Sequence, residues 1–292
     1  MNMLIDALTD SLVDTVKLIP FLFVTYLVME YLEHHTGDRT TGLLARMGKA
    51  GPIFGGLFGI VPQCGFSASA ASLYSGGVIT LGTMLAVFLS TSDEMLPIFI
   101  SEQVSPTRIL AILGVKAVIG VVSGLAVDAA LRRTRWRDKG DKRIHDLCVE
   151  EHADYGEEEK GGIFRAALIH TLHIVVFIFI ITLILTILVD AIGQERISGF
   201  LNAIPVLGVC LAALIGLIPN CGASVALTQL YLAGMMSAGQ MMAGLLVGAG
   251  VGLLVLFRTN HHHLRENVRI TILLYGIGVF WGLLMEAFHV TF

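Results

Sequence analysis

Apolar residues along this 292-residue chain run in long blocks, without the strict alternation of strands or the one-sided stripes of soluble helices. Five blocks fall in the first half, at about 16–33, 43–61, 64–78, 80–100 and 107–131. Five more follow at about 164–190, 198–218, 222–236, 238–257 and 268–290. A membrane-crossing helix needs ~20 apolar residues. The blocks therefore predict an all-α integral membrane protein of about ten transmembrane or re-entrant helices. Blocks 64–78 and 222–236 are short for full spans. Each, with the block before it, predicts either two crossings or one deep re-entrant hairpin.

Polar phrases interrupt the blocks at matching places. Pro62-Gln63-Cys64-Gly65 and Pro219-Asn220-Cys221-Gly222 stand 157 residues apart. At that same offset Gly59 matches Gly216, Ser67 matches Ser224, and Leu73-Tyr74 matches Leu230-Tyr231. Gly77, Gly82, Met84, Ala86 and Leu89 match Gly234, Gly239, Met241, Ala243 and Leu246. A repeated helix-breaking phrase inside apolar segments is the pattern of a two-fold repeated transporter with its site at the breaks.

Composition and charge sharpen this picture. The chain is 55% hydrophobic and 14% charged, against roughly 25% charged in soluble domains. A net charge of −4 gives no sign of a nucleic-acid partner. The first 18 residues carry Asp6, Asp10 and Asp14 and do not read as a cleaved signal. Cysteines 64, 148, 210 and 221 read as thiols. With segment 132–163 in the cytoplasm and both termini outside, 15 of the 19 Lys and Arg fall on the inner side, which is the bias that orients membrane proteins. An odd number of crossings per repeat then makes the two copies inverted. The predicted organisation is a five-helix repeat over 1–131, a hydrophilic cytoplasmic linker over 132–163, and a second, inverted five-helix repeat over 164–292, both with broken helices.

The breaks carry the candidate chemistry. Proline ends the helix before it, and glycine lets the chain turn into the next one. The restarting helix directs unpaired amides and a positive dipole end into the break. Gln63 and Asn220 add side-chain amides, Ser67 and Ser224 add hydroxyls, and Gly65 and Gly222 admit close approach. A cysteine at a helix N-terminus has raised thiolate character. Cys64 and Cys221 together suit a soft metal or a thiophilic metalloid. The plain alternative is that these are packing and hinge residues.

A second constellation is asymmetric. Ser90-Thr91-Ser92-Asp93-Glu94 puts two acids inside an apolar block, while the equivalent 247–254 is wholly apolar. Lys116 is mid-span, and its equivalent is Leu273. Intramembrane charges are costly and by default functional. Asp93 and Glu94 are candidate metal ligands and proton carriers, with Lys116 as an ion-pair partner to either. The alternative is a structural pair that neutralises itself. Asp128, Glu286 and His289 lie near helix ends and are expected to reach the interface. Glu30, Glu33, His170 and His173 read as cap or interfacial residues. Tyr74, Tyr231, Thr228 and Gln229 lie within reach of the pathway, and the glycines at 55, 56, 59, 76, 77, 244, 248, 250 and 252 read as packing positions. His261-His262-His263, and His145 with Cys148 and His152, hold metal-ligand types in spacings that match no strong signature.

The phrases GIVPQCGFSASAASLYSGG and GLIPNCGASVALTQLYLAG, in a ten-block chain of this length, resemble a family of ten-helix heavy-metal exporters, whose members are labelled arsenic efflux proteins or manganese transporters. The resemblance implies transport of a metal ion or metalloid, and export is its implication alone. Manganese would favour the oxygen ligands of Asp93, Glu94, Gln63 and Asn220, and an arsenical would favour Cys64 and Cys221. No phosphate-binding G-x-x-x-x-G-K-[ST] phrase occurs, so the expected carrier is a secondary, proton-coupled transporter of the inner membrane, not an enzyme, with no cofactor. Its expected partners are the substrate and the bilayer, with room for a homo-oligomer. Two other readings stay open: a small-anion carrier using the helix N-termini and Lys116, and a membrane thiol oxidoreductase using Cys64 and Cys221, against which stands the lack of a C-x-x-C pair.

Overall fold

The computed structural model describes residues 50–60, 64–92, 95–133, 205–218 and 221–292, with residue 23 and scattered positions between 172 and 187. The described residues form helices and no strands. In the first half these are α1 (Gly51–Phe58), α2 (Cys64–Ser75), α3 (Leu81–Ser90), α4 (Met95–Ser101) and α5 (Pro106–Arg133). In the second half they are α6 (Pro205–Gly216), α7 (Cys221–Leu232), α8 (Ala238–Val247), α9 (Val251–Thr259), a 3₁₀ turn (His261–His263) and α10 (Leu264–Ala287). The bounds repeat with the sequence offset. α2 and α7 both start on the repeated cysteine, and α3 and α8 start and stop at equivalent residues. The turns after α2 and α7 use Gly77 at φ 74° and Gly234 at φ 71°, a conformation that glycine adopts without steric cost.

Every residue of α3 and of α8 is buried. A helix that is apolar and buried all round belongs at the centre of the molecule. α5 and α1 pack on α3, and α10 and α6 pack on α8. The outer helices turn large apolar side chains outward: Leu110 and Val118 on α5, Ile272 and Phe280 on α10. In water such a surface would aggregate, whereas hydrocarbon solvates it.

Four described stretches are long and apolar enough to cross a membrane: Leu81–Ser101, Pro106–Leu131, Ala238–Thr259 and Leu264–Ala287. The first and third are each made of two helices. α3 ends at Ser90 and α4 begins at Met95. In the second half α8 ends at Val247 and α9 begins at Val251, with Gly250 at φ 53° between them. The apolar block 238–257 reads in sequence as one uninterrupted span, and Gly248 and Gly250 read as packing residues. Their role here is different: they let the chain leave the helix at the place where Thr91 and Ser92 do so in the first half. α2 and α7 have 12 residues each, or ~18 Å of helix, well below a ~30 Å hydrocarbon core.

Each central helix is capped by a carboxylate from the last helix of its own half. Thr80 is the N-cap of α3, and its hydroxyl donates to Asp128 at 2.7 Å. Asp128 also accepts from the Gly82 amide at 2.9 Å. Ser237 closes a capping box with Gln240 at the start of α8, and its hydroxyl donates to Glu286. A carboxylate at a helix N-terminus meets both unpaired amides and the positive end of the dipole. The expectation that Asp128 reaches the interface is therefore corrected: it is buried, because this cap satisfies its charge inside the protein.

Candidate functional site

The helix ends nearest the repeated phrases gather in space. α1 gives way to a turn at Gly59-Ile60, and α2 starts at Cys64. The Ser92 hydroxyl, in the gap after α3, donates to the Ile60 carbonyl at 3.2 Å. Ile60, just before the first Pro-x-Cys-Gly phrase, and Ser92, which opens the Ser-Asp-Glu run, are thereby joined. The second half brings its own pair together. A β-carbon on Gly248, in the gap after α8, would lie 3.7 Å from the Ser224 hydroxyl oxygen in the first turn of α7.

Ser67 is fully buried and faces the other half. A β-carbon added to Gly252 of α9 would lie 2.7 Å from the Ser67 β-carbon and 2.8 Å from its carbonyl oxygen. A glycine at 252 is what lets α2 lie directly on α9. Gly222 is buried at the start of α7, and Ser224 is half-buried. Thr228 is buried one turn on and donates to the Ser224 carbonyl at 2.7 Å. Tyr74 donates to Glu266 at 2.7 Å at the far end of α2, away from the helix start, and so closes that end instead of facing the gap.

Lys116 is fully buried in α5. Its ammonium donates to the Thr91 carbonyl, at the C-cap of α3, and to the Leu245 carbonyl at 2.9 Å, in the last turn of α8. Carbonyls at a helix C-terminus are short of amide partners and carry the negative end of the dipole. Burying an ammonium unpaired would be very costly, and these two carbonyls offset part of that cost. One side chain thus ties the gap of the first half to the central helix of the second. No residue-pattern signal singles out Thr91 and Leu245 as its partners, since both act through main-chain oxygens.

Gln63, Asp93, Glu94 and Asn220 lie outside the described residues, as do the side chains of Cys64 and Cys221. The linker histidines and Cys148, with His170 and His173, lie outside them too. Among the described residues no group of three His, Cys, Asp or Glu is placed to hold a metal ion; the side chain of His262 lies outside them. The arrangement offers main-chain carbonyls, buried hydroxyls and the amide-bearing starts of α2 and α7 around the interrupted central helices.

Residues 1–195 match the family described as "Putative, 10TM heavy-metal exporter". The chain belongs to this family. It is a multi-pass membrane protein of a transporter family, which is the family its two repeated phrases resemble. The match takes in the first Pro-x-Cys-Gly phrase and ends before the second. No curated protein and no solved structure matches the chain.

Proposed function

We propose that this protein is a secondary transporter that moves a heavy-metal ion or metalloid out of the cell by alternating access, driven by protons and not by ATP. The observation that carries the reading is the duplicated arrangement around α3 and α8: each half interrupts its central span and starts a short helix on the repeated cysteine beside that interruption. Irregular backbone at membrane depth is tolerated where it lines a cavity, and paired interrupted helices are the common frame of secondary carriers. Membership of an exporter family supports the same reading.

In this reading the halves, 1–131 and 164–292, are inverted copies joined by a cytoplasmic linker over 132–163. The protein sits in the inner membrane with both termini outside. Substrate is held between the breaks by Gln63, Cys64, Gly65 and Ser67 from one half and by Asn220, Cys221, Gly222 and Ser224 from the other. Asp93 and Glu94 coordinate the ion or carry the coupling proton, and Lys116 responds to them. The engagement of the Lys116 ammonium by two carbonyls favours a cation-handling site over an anion carrier built on that lysine.

The test is a panel of manganese, arsenite, organoarsenical and anion sensitivities in cells lacking or overproducing the protein. Overproduction is expected to raise tolerance to one metal or metalloid. Unchanged tolerance across all metals and arsenicals would overturn the reading. Cys64→Ser with Cys221→Ser divides the two ligand sets. Loss of tolerance assigns a thiophilic substrate to the cysteines, and full tolerance assigns a hard cation to the carboxylates and carbonyls.

A further inference from the structure

The first turns of α10 set two cations into an apolar surface. Arg265 and Arg269 are both exposed, and no described residue bonds or pairs with either guanidinium. Around them Leu264, Val268 and Ile272 are 57%, 47% and 64% exposed. A recess of about 330 Å³ is lined by Leu264, Arg265, Val268 and Arg269. Residues four apart on a helix stand about 6 Å from each other, and like charges at that spacing repel. The acid next to them in sequence, Glu266, is half-buried and accepts from Tyr74 at 2.7 Å.

Beyond the arginines the exposed face runs on at helical spacing through Ile272, Gly276 and Phe280. A β-carbon on Gly276 would meet nothing within 4 Å, so the face has a furrow there between two large side chains. No charged residue lies between Arg269 and Glu286. That is ~25 Å of helix, close to the ~30 Å of a hydrocarbon core. Arg269 therefore stands at the edge of the hydrocarbon, with Arg265 one turn further out. Duplication alone does not make this face. Arg265 is equivalent to Arg108, but Arg269 and Gly276 are equivalent to Ile112 and Ile119, which are buried in α5.

We propose that this face of α10 holds one anionic phospholipid. Its phosphate is bound by Arg265 and Arg269, and an acyl chain lies along Ile272, Gly276 and Phe280. A guanidinium meets phosphate oxygens through paired N–H donors, and basic sites at the membrane edge select anionic headgroups. The inference needs α10 to cross a membrane, for which it is long and apolar enough, and it does not rest on the transport reading. The competing account makes the two arginines determinants of orientation that stay in water, and it requires indifference to the headgroup.

The experiment uses the purified full-length chain in neutral detergent, with thermal unfolding and native mass spectrometry as readouts. The probes are dioleoylphosphatidylglycerol, dioleoylphosphatidylcholine with the same tails, and inorganic phosphate. We expect phosphatidylglycerol to raise Tm saturably and to stay bound as one adduct, and the other two at equal concentration to do neither. Arg265→Gln with Arg269→Gln should weaken phosphatidylglycerol binding by about tenfold or more, at about fivefold for each cation beside an anionic headgroup. Arg108→Gln should leave it unchanged. Equal response to phosphatidylcholine or to inorganic phosphate, or an undiminished response in the double variant, would each overturn the proposal. So would a double variant that melts lower than a wild type indifferent to phosphatidylglycerol, since the arginines would then serve a partner within the chain.

If the double variant does not accumulate, wild type decides by competition. Retention of phosphatidylglycerol over phosphatidylcholine by about tenfold upholds the site, and equal retention overturns it. Neither readout involves metal flux, so failure of the transport reading leaves both standing.

Discussion

Two of the contacts that cross between the halves start from equivalent helices and end unlike one another. α2 packs along the length of α9, whereas its counterpart α7 touches α4 only lightly. The reasons can be read position by position. Where α9 has Gly252 against Ser67, the equivalent residue in α4 is Met95. Where Ser75 and Thr259 share a hydrogen bond at 2.8 Å, the equivalents are Leu232 and Glu102. Where Tyr74 donates to Glu266 at 2.7 Å, Tyr231 reaches only the Phe292 carbonyl, at 3.5 Å. The paired helices start at equivalent positions, and the three contacts named differ between the tighter cross-half junction and the looser one.

That difference can be broken most forcefully at Gly252. Gly252→Met copies the looser half into the tighter one and drives a side chain into the Ser67 backbone. Overpacking of a close-packed core costs about 1–3 kcal/mol and more where backbone is in the way. We expect a fall in Tm at the top of that range or failure to fold, read by thermal unfolding in detergent. The reverse change, Met95→Ala, empties a fully buried position and should cost about 2–4 kcal/mol. If both were neutral, side-chain size would not be what sets the two junctions apart.

The hydrogen bonds give a finer test. Tyr74→Phe removes a bond to a carboxylate and should cost about 1.5–3 kcal/mol, while Tyr231→Phe should cost less than about 0.5 kcal/mol, since a 3.5 Å contact is at the edge of bonding. Hydrogen exchange at the ends of α2 and α9 should rise in the first variant, with no matching rise at the ends of α7 and α4 in the second. Ser75→Ala is milder than Tyr74→Phe, about 1 kcal/mol, because the Thr259 hydroxyl keeps its bond to the Val255 carbonyl at 2.9 Å. Equal costs for the two tyrosines would remove the asymmetry at this level.

Much of this was legible in the sequence. The helical class follows from apolar block length, because hydrocarbon demands internally bonded backbone. The starts of α2 and α7 follow from Pro62 and Pro219, because proline cannot continue the helix before it. The shortness of these helices follows from the turn glycines, Gly77 and Gly234. The family resemblance rested on the same two phrases and proved sound. Other features were not legible. The interruption between α8 and α9 carries no polar residue, and Gly248 and Gly250 look like the packing glycines around them until the φ of 53° is seen. Asp128 sits near a helix end, as an interfacial residue would, and only the approach of Thr80 and Gly82 turns it into a cap.

Among the described residues, the sequence by itself determined the helical class and where the repeated phrases restart a helix. These are local matters of block length, proline and glycine. Only the tertiary structure decided that Lys116 joins α3 to α8, that Ser92 meets Ile60, and that α2 crosses to α9 more closely than α7 crosses to α4. Those contacts run through main-chain oxygens and through the space a missing side chain leaves. Neither is written in residue type, because every residue has a carbonyl and a glycine looks the same whatever helix lies against it.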